Sequence, residues 1–348
     1  MNHAVFHELA VAGIERLTDD SVAVTFAVPD GLAADYAFTQ GQHLTLRWGD
    51  ARRNYSICSP VGGPLRIGVK RIPDGEFSSY ALETMKPGDV LEVMTPSGRF
   101  TTELDPANAK HYAMIAAGSG ITPVLSIVST ILATEPQSRV TLLYGNRTTR
   151  TVMFLEELED LKNRYPARLQ LMHFLSREAQ EVELFSGRLD NDRIKRVIDV
   201  LLPVATVDEW FLCGPFEMVT GGREVLLEAG VEAGHVHMEL FHSKAIARKR
   251  EEAPDAVGSK VTVTLDGRAS VLDVPRNENI LDAMLKVRAD APYACKGGVC
   301  GTCRARLVGG KVEMDTNFAL EPDELARGYV LTCQSYPATD EVTVDYDG

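Results

Sequence analysis

Four cysteines form the most pointed chemical feature of this chain. Cys295, Cys300 and Cys303 share one short loop, and Cys333 arrives from further along. The spacing Cys-x4-Cys-x2-Cys with a distant fourth thiol is the one that holds two irons and two sulfides through four thiolates. Zinc is the rival metal, but its ligands usually come as C-x2-C knuckles from two separate turns. Gly297, Gly298 and Gly301 lie between the thiols. They let a loop wrap the metal group through positive-φ positions, with N–H groups turned inward at the sulfurs.

A second chemical segment is Tyr112-Ala113-Met114-Ile115-Ala116-Ala117-Gly118-Ser119-Gly120-Ile121-Thr122-Pro123. It reads as a buried strand, a tight glycine turn and a helix start that continues through Val124–Leu132. Such a turn admits a nucleotide pyrophosphate, because glycines let the backbone approach and the helix start offers free N–H groups. A lone G-x-G is weak, and Pro123 stands where a third glycine would be expected. Further strand-to-helix units at Val140–Tyr144, Leu169–Phe174 and Trp210–Cys213 supply the context of a parallel α/β sheet.

The elements around these segments differ in texture. Residues 1–105 show short alternating runs at Val22–Phe26, Leu44–Leu46, Leu65–Val69 and Val90–Val93, broken by Gly, Pro and Asp, which predicts an antiparallel β-barrel. Residues 259–348 combine alternation at Val261–Leu265, a turn at Asp266-Gly267, a second run near Val271–Val274, a helix at Ile280–Val287 and a closing Val342–Val344, which suits a β-grasp. Between them, Lys244–Ser259 has no apolar face and reads as a linker. The expected boundaries are 1–107, 108–243, a linker at 244–258, and 259–348.

Length and charge agree with this division. At 348 residues the chain has room for two or three cores. A net charge of −13 has the wrong sign for gripping nucleic-acid phosphates or anionic lipid, so neither nucleic acid nor membrane is an expected partner. Six cysteines are too few for a disulfide scaffold, and no leader or long apolar run is seen, which places the chain in a reducing cytoplasm. Residues 259–348 carry ten basic and fourteen acidic side chains, so this end is not specially acidic and a strongly salt-dependent dock is not expected.

With the barrel go Arg53-Asn54-Tyr55-Ser56, Val69-Lys70-Arg71 and Gly75-Glu76-Phe77-Ser78-Ser79, and with the sheet goes Cys213-Gly214-Pro215. Together, and in this order, they resemble the ferredoxin–NADP reductase superfamily across about residues 1–242. The cysteine segment with Leu331-Thr332-Cys333 resembles plant-type ferredoxins. The resemblance implies FAD held by Arg53 at its pyrophosphate, by Tyr55 against the isoalloxazine and by Ser56 near the N5 edge. Val69 and Lys70 would lie by the ribityl and phosphate region, and Gly75, Phe77, Ser78 and Ser79 would supply donors from a helix start. Gly118, Gly120, Thr122 and Pro123 would hold the nicotinamide coenzyme, with Thr122 near the flavin contact. Cys213, Gly214 and Pro215 would border the hydride path, and Glu239 and Phe241 would close the flavin site. Ser56, Thr122, Cys213 and Glu239 are therefore the expected catalytic set. A guanidinium fork for a pyrophosphate and a flat apolar neighbour for a flavin are physically coherent choices. Taken singly, Tyr55 suits a barrel core equally well, Ser78-Ser79 an N-cap, and Cys213 a small buried strand end. Cys58 is expected to be core filling. His235, His237 and His242 could suggest a metal, but their alternation at a strand end reads more simply as exposure.

Coenzyme choice is read from the second and third strand ends. Tyr144-Gly145-Asn146-Arg147-Thr148 lacks the acid that binds a ribose 2′-hydroxyl, while Ser176, Arg177 and Arg188 match groups that hold a 2′-phosphate in NADP-dependent members. NADPH is preferred over NADH, with Glu178 beside Arg177 as the discordant residue. The order flavin, nicotinamide, C-terminal ferredoxin resembles reductases of multicomponent mono-oxygenases and implies oxygenase components as partners. Gly41-Gln42-His43-Leu44-Thr45-Leu46, Ala116–Pro123, Tyr144–Thr148 and Leu320–Leu331 look close to the branch serving a di-iron epoxidase of an aromatic acyl-CoA. Reductases of Rieske ring-hydroxylases or steroid hydroxylases would share every motif. A redox sensor using the cluster as a switch, or a zinc-stabilised binding module, are the non-enzyme alternatives.

Overall fold

The computed structural model describes residues 5–49, 51–241 and 258–348, and falls into two compact units, Val5–Leu240 and a second containing Phe241–Gly348. The predicted linker at 244–258 lies, but for Gly258, outside the described residues, as does His242.

The first unit begins with β1 (Phe6–Thr18), β2 (Ser21–Ala27), β3 (His43–Trp48), β4 (Ala51–Ser56), β5 (Arg66–Lys70), helix α1 (Glu76–Glu83) and β6 (Val90–Met94). Strand order is β4-β3-β6-β1-β2-β5, with every pair antiparallel. A bridge between Ile57 and Ile67 joins the two outer strands, so the sheet closes as the expected barrel. The long β1 can serve two neighbours because irregularities at Val11/Gly13 and Arg16/Thr18 bend it, a common role of bulges. Alternation turns Leu9, Val24, Leu44, Leu46, Ile67 and Val69 inward, and α1 adds Phe77 and Ala81 to this core.

Next come β7 (His111–Ala117), α2 (Ile121–Thr134), β8 (Arg139–Asn146), α3 (Leu155–Arg164), β9 (Leu169–Leu175), α4 (Asn191–Val200), β10 (Glu209–Gly214), α5 (Phe216–Glu228) and β11 (Val236–Leu240). The five strands are parallel in the order β11-β10-β7-β8-β9. The order reverses between β7 and β10, and sheets of this kind open a ligand crevice at the carboxyl ends flanking that reversal. Helix α2 is buried on nearly all sides, as a helix with packed neighbours all round must be. Its Ile127 meets the barrel at Gly41, where φ is +82° and a Cβ would run into the Phe100 carbonyl. Its C-terminal end is held by Arg168, which donates to the carbonyls of Leu132 at 2.7 Å and Glu135 at 2.9 Å. The buried Glu135 carboxylate accepts from Tyr112, Ser138, Asn108 and the Asp105 N–H, which hold its pKa down despite burial.

The second unit contains β12 (Ser259–Leu265), β13 (Arg268–Val274), α6 (Ile280–Leu285), β14 (Arg304–Gly309), β15 (Val312–Met314), α7 (Pro322–Ala326), β16 (Tyr329–Leu331), β17 (Ser335–Pro337) and β18 (Glu341–Asp345). Five strands run β13-β12-β18-β14-β16, and β15 pairs with β17 separately. The hairpin β12–β13 turns through Asp266 and Gly267, both at positive φ, as the tight two-residue hairpin turn requires. Helix α6 ends two residues before the expected Val287, which stands 63% exposed and so has no core to extend into. The fold is thus the expected multidomain one: an antiparallel barrel, a parallel α/β sheet and an α+β β-grasp.

Candidate redox sites

The barrel hairpin β3–β4 sets the first site. Its register pairs Leu44 with Tyr55 and His43 with Ser56. Ser56 donates to Glu239 Oε2 at 2.9 Å, and His43 Nδ1 lies 4.0 Å from Glu239 Oε1. Burial pushes the Glu239 carboxyl up to about 7, against the pull of the Ser56 hydrogen bond. Burial also brings His43 down to about 4, so the imidazole is neutral at pH 7 and its approach to Glu239 is not an ion pair. Asn54 Nδ2 at 3.1 Å and Ser97 Oγ at 3.3 Å hold the other ring nitrogen. Cys213 faces Glu239 across the β10–β11 pairing, fully buried, with its thiol raised well above the ordinary value by burial and then by the Glu239 charge. Three of the four expected catalytic residues therefore converge.

Thr122, the fourth, is buried in the first turn of α2 and donates to the Ser119 carbonyl at 3.0 Å. Its methyl sits 2.5 Å from where a Gly68 Cβ would project, so β5 admits α2 only because that residue is glycine. Gly120 is equally constrained, since a Cβ there would fall on the Cys213 carbonyl. Gly118 takes φ +55° and its carbonyl accepts from Tyr144 at 3.0 Å. Pro123 lies in the buried first turn, Gly214 ends β10, and Pro215 is the residue at the start of α5.

Around the flavin side, Arg53 is exposed and, among the described residues, bonds only the Arg52 carbonyl, at 2.9 Å. Tyr55 is half-buried against Phe77, with ring centroids 5.2 Å apart. Helix α1 opens at Gly75 without a side-chain cap, which leaves its first N–H groups open to an anion. The Ser78 hydroxyl is already used: it accepts from Ile72 N–H and donates to the Gly75 carbonyl. Ser79 has a free hydroxyl among the described residues, and Lys70 lies 3.5 Å from Asp20. The Val69 side chain is in the barrel core, so only its backbone can meet a ligand. Phe241 follows β11 and groups with the second unit. An exposed guanidinium, an uncapped helix start and a half-exposed ring fit an aromatic cofactor joined to a pyrophosphate.

At the coenzyme end, Arg147, Ser176, Arg177 and Arg188 are all exposed. Backbone bonds from Ser176 N–H to Asn146, from Arg177 N–H to Arg147 and from Gly187 N–H to Leu175 bring their segments side by side. His235 is exposed, as expected, whereas His237 is partly buried. Both point to Glu209, at 3.5 and 3.0 Å, because the parallel pairing of β10 with β11 brings their carboxyl partner alongside. Cys58 is core, as expected, and burial raises its thiol to about 12.

In the second unit the thiols pair two by two. Cys300 hydrogen-bonds Cys295 and Cys303 hydrogen-bonds Cys333; these contacts bring the Cys295 thiol down to about 5 and lower that of Cys333. Two thiols per iron is what a two-iron cluster needs. Gly297 N–H donates to Cys295 Sγ at 3.3 Å, and the N–H of Gly298 is turned to Cys333. The buried Thr302 hydroxyl, with no oxygen or nitrogen partner, is placed to donate to Cys300. One detail differs from the sequence reading: the positive-φ residues are Lys296, Gly298 and Gly301, not Gly297. Lys296 takes φ +51°, where its ammonium reaches Asp282 at 2.8 Å. Gln334, unsuspected from sequence, clamps the Lys296 carbonyl at 2.8 Å.

Comparison with known proteins follows the same division. Residues 8–102 match an oxidoreductase FAD-binding domain, 114–224 an oxidoreductase NAD-binding domain and 263–338 a 2Fe-2S iron-sulfur cluster binding domain. The chain is 45% identical to a subunit of the 1,2-phenylacetyl-CoA epoxidase of Escherichia coli (strain K12), with 98% of each chain covered. It is 34% identical to the ferredoxin reductase component of the 3-ketosteroid-9-alpha-monooxygenase of Rhodococcus rhodochrous, over 97% of this chain and 96% of that protein. Phthalate dioxygenase reductase has a similar fold, with a TM-score of 0.60 at 23% identity over 98% of both chains. Among the described residues no helix is long and apolar enough to cross a membrane.

Proposed function

Because the chain belongs to the family of NAD(P)H-dependent flavin oxidoreductases that act as reductase components of multicomponent oxygenases, we propose that it is the NADPH-using reductase of a phenylacetyl-CoA epoxidase. The observation that carries the reading is 45% identity across 98% of both chains, supported by FAD-binding, NAD-binding and 2Fe-2S matches in that order along this chain. Its partner is then a di-iron oxygenase component, and its place is the cytoplasm.

When bound, FAD takes an electron pair as hydride from a nicotinamide, and the cluster carries electrons singly. The chain supplies position and electrostatics. Arg53 and the start of α1, with Gly75, Phe77, the Ser78 N–H and Ser79, would hold the pyrophosphate, Tyr55 would offer its ring to the isoalloxazine, and the Val69-Lys70 backbone would serve the ribityl side. Gly118, Gly120, Thr122 and Pro123 admit the coenzyme, and Arg147, Ser176, Arg177 and Arg188 hold its 2′-phosphate. Ser56 fixes Glu239, whose raised pKa lets it keep or release a proton near neutrality, while buried Cys213 excludes water beside it. Cys295, Cys300, Cys303 and Cys333 ligate the cluster. The segments 1–107 and 108–243 act together, and the 244–258 linker joins them to 259–348.

An anaerobic titration of the purified protein with NADPH tests the circuit. Flavin bleaching followed by loss of the cluster bands is expected. A cluster that stays oxidised while the flavin bleaches overturns it. Coupled turnover with the epoxidase component rather than a steroid hydroxylase distinguishes the partner.

A further inference from the structure

Glu178 is an acid on a pair of adjoining segments that also carry several unpaired arginines. Arg147, Arg150, Arg177 and Arg188 are exposed and have no ionic partner among the described residues. Glu178 stands at the end of the segment that follows β9, which runs beside the segment after β8 through the Ser176–Asn146 and Arg177–Arg147 backbone bonds. Its carboxylate does not turn to any of these arginines. It takes two hydrogen bonds from one residue, Thr149: the backbone N–H at 2.8 Å and the hydroxyl at 2.8 Å. Both bonds favour its ionised form. Thr149 opens a short turn whose fold is fixed independently, by the reciprocal Thr148–Thr151 bonds. The two donors on Thr149 are therefore held in place independently of Glu178.

We propose that Glu178 is a built-in anion that sets the coenzyme ratio: held on Thr149 among the arginines, it opposes the 2′-phosphate of NADPH and narrows the preference over NADH. This rests on the reading of Arg177 and Arg188 as phosphate ligands. A dianionic phosphate brought among these arginines meets their attraction and the repulsion of a carboxylate fixed beside them. A ribose hydroxyl meets neither. Neutralising Glu178 therefore helps one coenzyme and not the other, and salt screens the difference.

The test uses FAD-loaded full-length protein, titrated by calorimetry with 2′,5′-ADP and with 5′-ADP as probes, alongside NADPH and NADH steady-state rates with ferricyanide. Glu178→Gln should tighten 2′,5′-ADP by roughly three- to tenfold, the scale of a partly screened charge contact, with 5′-ADP changed less than twofold. Glu178→Ala should match it, since both remove the charge and only Gln can keep the Thr149 bonds. Unchanged or weaker 2′,5′-ADP binding in Glu178→Gln overturns the proposal, as does equal tightening of both probes. Arg177→Ala and Arg188→Ala keep the two readings apart. If they leave 2′,5′-ADP binding intact, the phosphate-site reading fails; if they weaken it while Glu178→Gln has no effect, only the role of Glu178 fails.

Discussion

At the scale of single residues, the pair Glu239 and His43 shows what burial does to two groups of opposite type. The folded Glu239 keeps its proton to about pH 7, whereas an unfolded one releases it near 4.5. Stability from this group is therefore undiminished below 4.5 and falls as pH rises to 7. His43 runs the other way, because the folded ring takes no proton until about pH 4 and the unfolded one binds near 6.5; stability is full above 6.5 and falls as pH drops. The two slopes largely cancel between about pH 4.5 and 6.5. Glu239→Gln removes one of them. The variant should gain thermal stability relative to the parent as pH rises from 5 to 8, by up to about 3 kcal/mol, read as a growing gap between the two melting temperatures. A gap that stays constant with pH would mean that Glu239 is not perturbed. Sequence reading reached Glu239, Ser56 and Cys213 through resemblance, but passed over His43. The signal was present: a tight turn after Trp48 fixes the hairpin sum, and that sum sets His43 opposite Ser56.

At the scale of elements, the crevice is shaped by glycines that let backbones touch. The strand–turn–helix from β7 into α2 was legible, since a buried apolar run followed by Gly-Ser-Gly has few other meanings. That Gly120 must lie on the Cys213 carbonyl, and Gly68 on Thr122, was not legible, because each contact joins segments far apart in the chain. Gly120→Ala should cost about 1–3 kcal/mol, as overpacking does, and should weaken coenzyme binding at least tenfold. The flavin spectrum should remain. Coenzyme binding equal to the parent would show that the turn can shift to admit a methyl group. In the cluster loop the same limit appears in smaller form. Glycine content pointed to left-handed backbone, but Lys296 adopts it instead of Gly297, steadied by Asp282 and Gln334, and glycine count alone could not identify that position. The short strands β14 to β17 escaped notice for a different reason. Runs of three to six residues carry too little alternation to separate strand from loop.

At the scale of the whole molecule, cysteine spacing, a glycine turn and the barrel motif sufficed to order three domains, because each is a local signature. Their independence is open to experiment. A chain ended at residue 243 should fold, retain its flavin bands and reduce ferricyanide within about twofold of the parent rate, while losing transfer to one-electron protein acceptors. Failure to fold would tie the barrel and the parallel sheet to the residues beyond. The second unit also has a history written into its pairing. Its first strand, β12, lies parallel to its last, β18, with Lys260 beside Glu341 and Val263 beside Val344. During synthesis the opening strand must wait for the closing one. Until then Cys295, Cys300, Cys303 and the later-made Cys333 stand on an unfinished frame, without the central pair of the sheet. The proposed ligation of iron and sulfide by these thiols would then follow translation of Glu341–Asp345, and a stalled ribosome would leave the thiols open to oxidation.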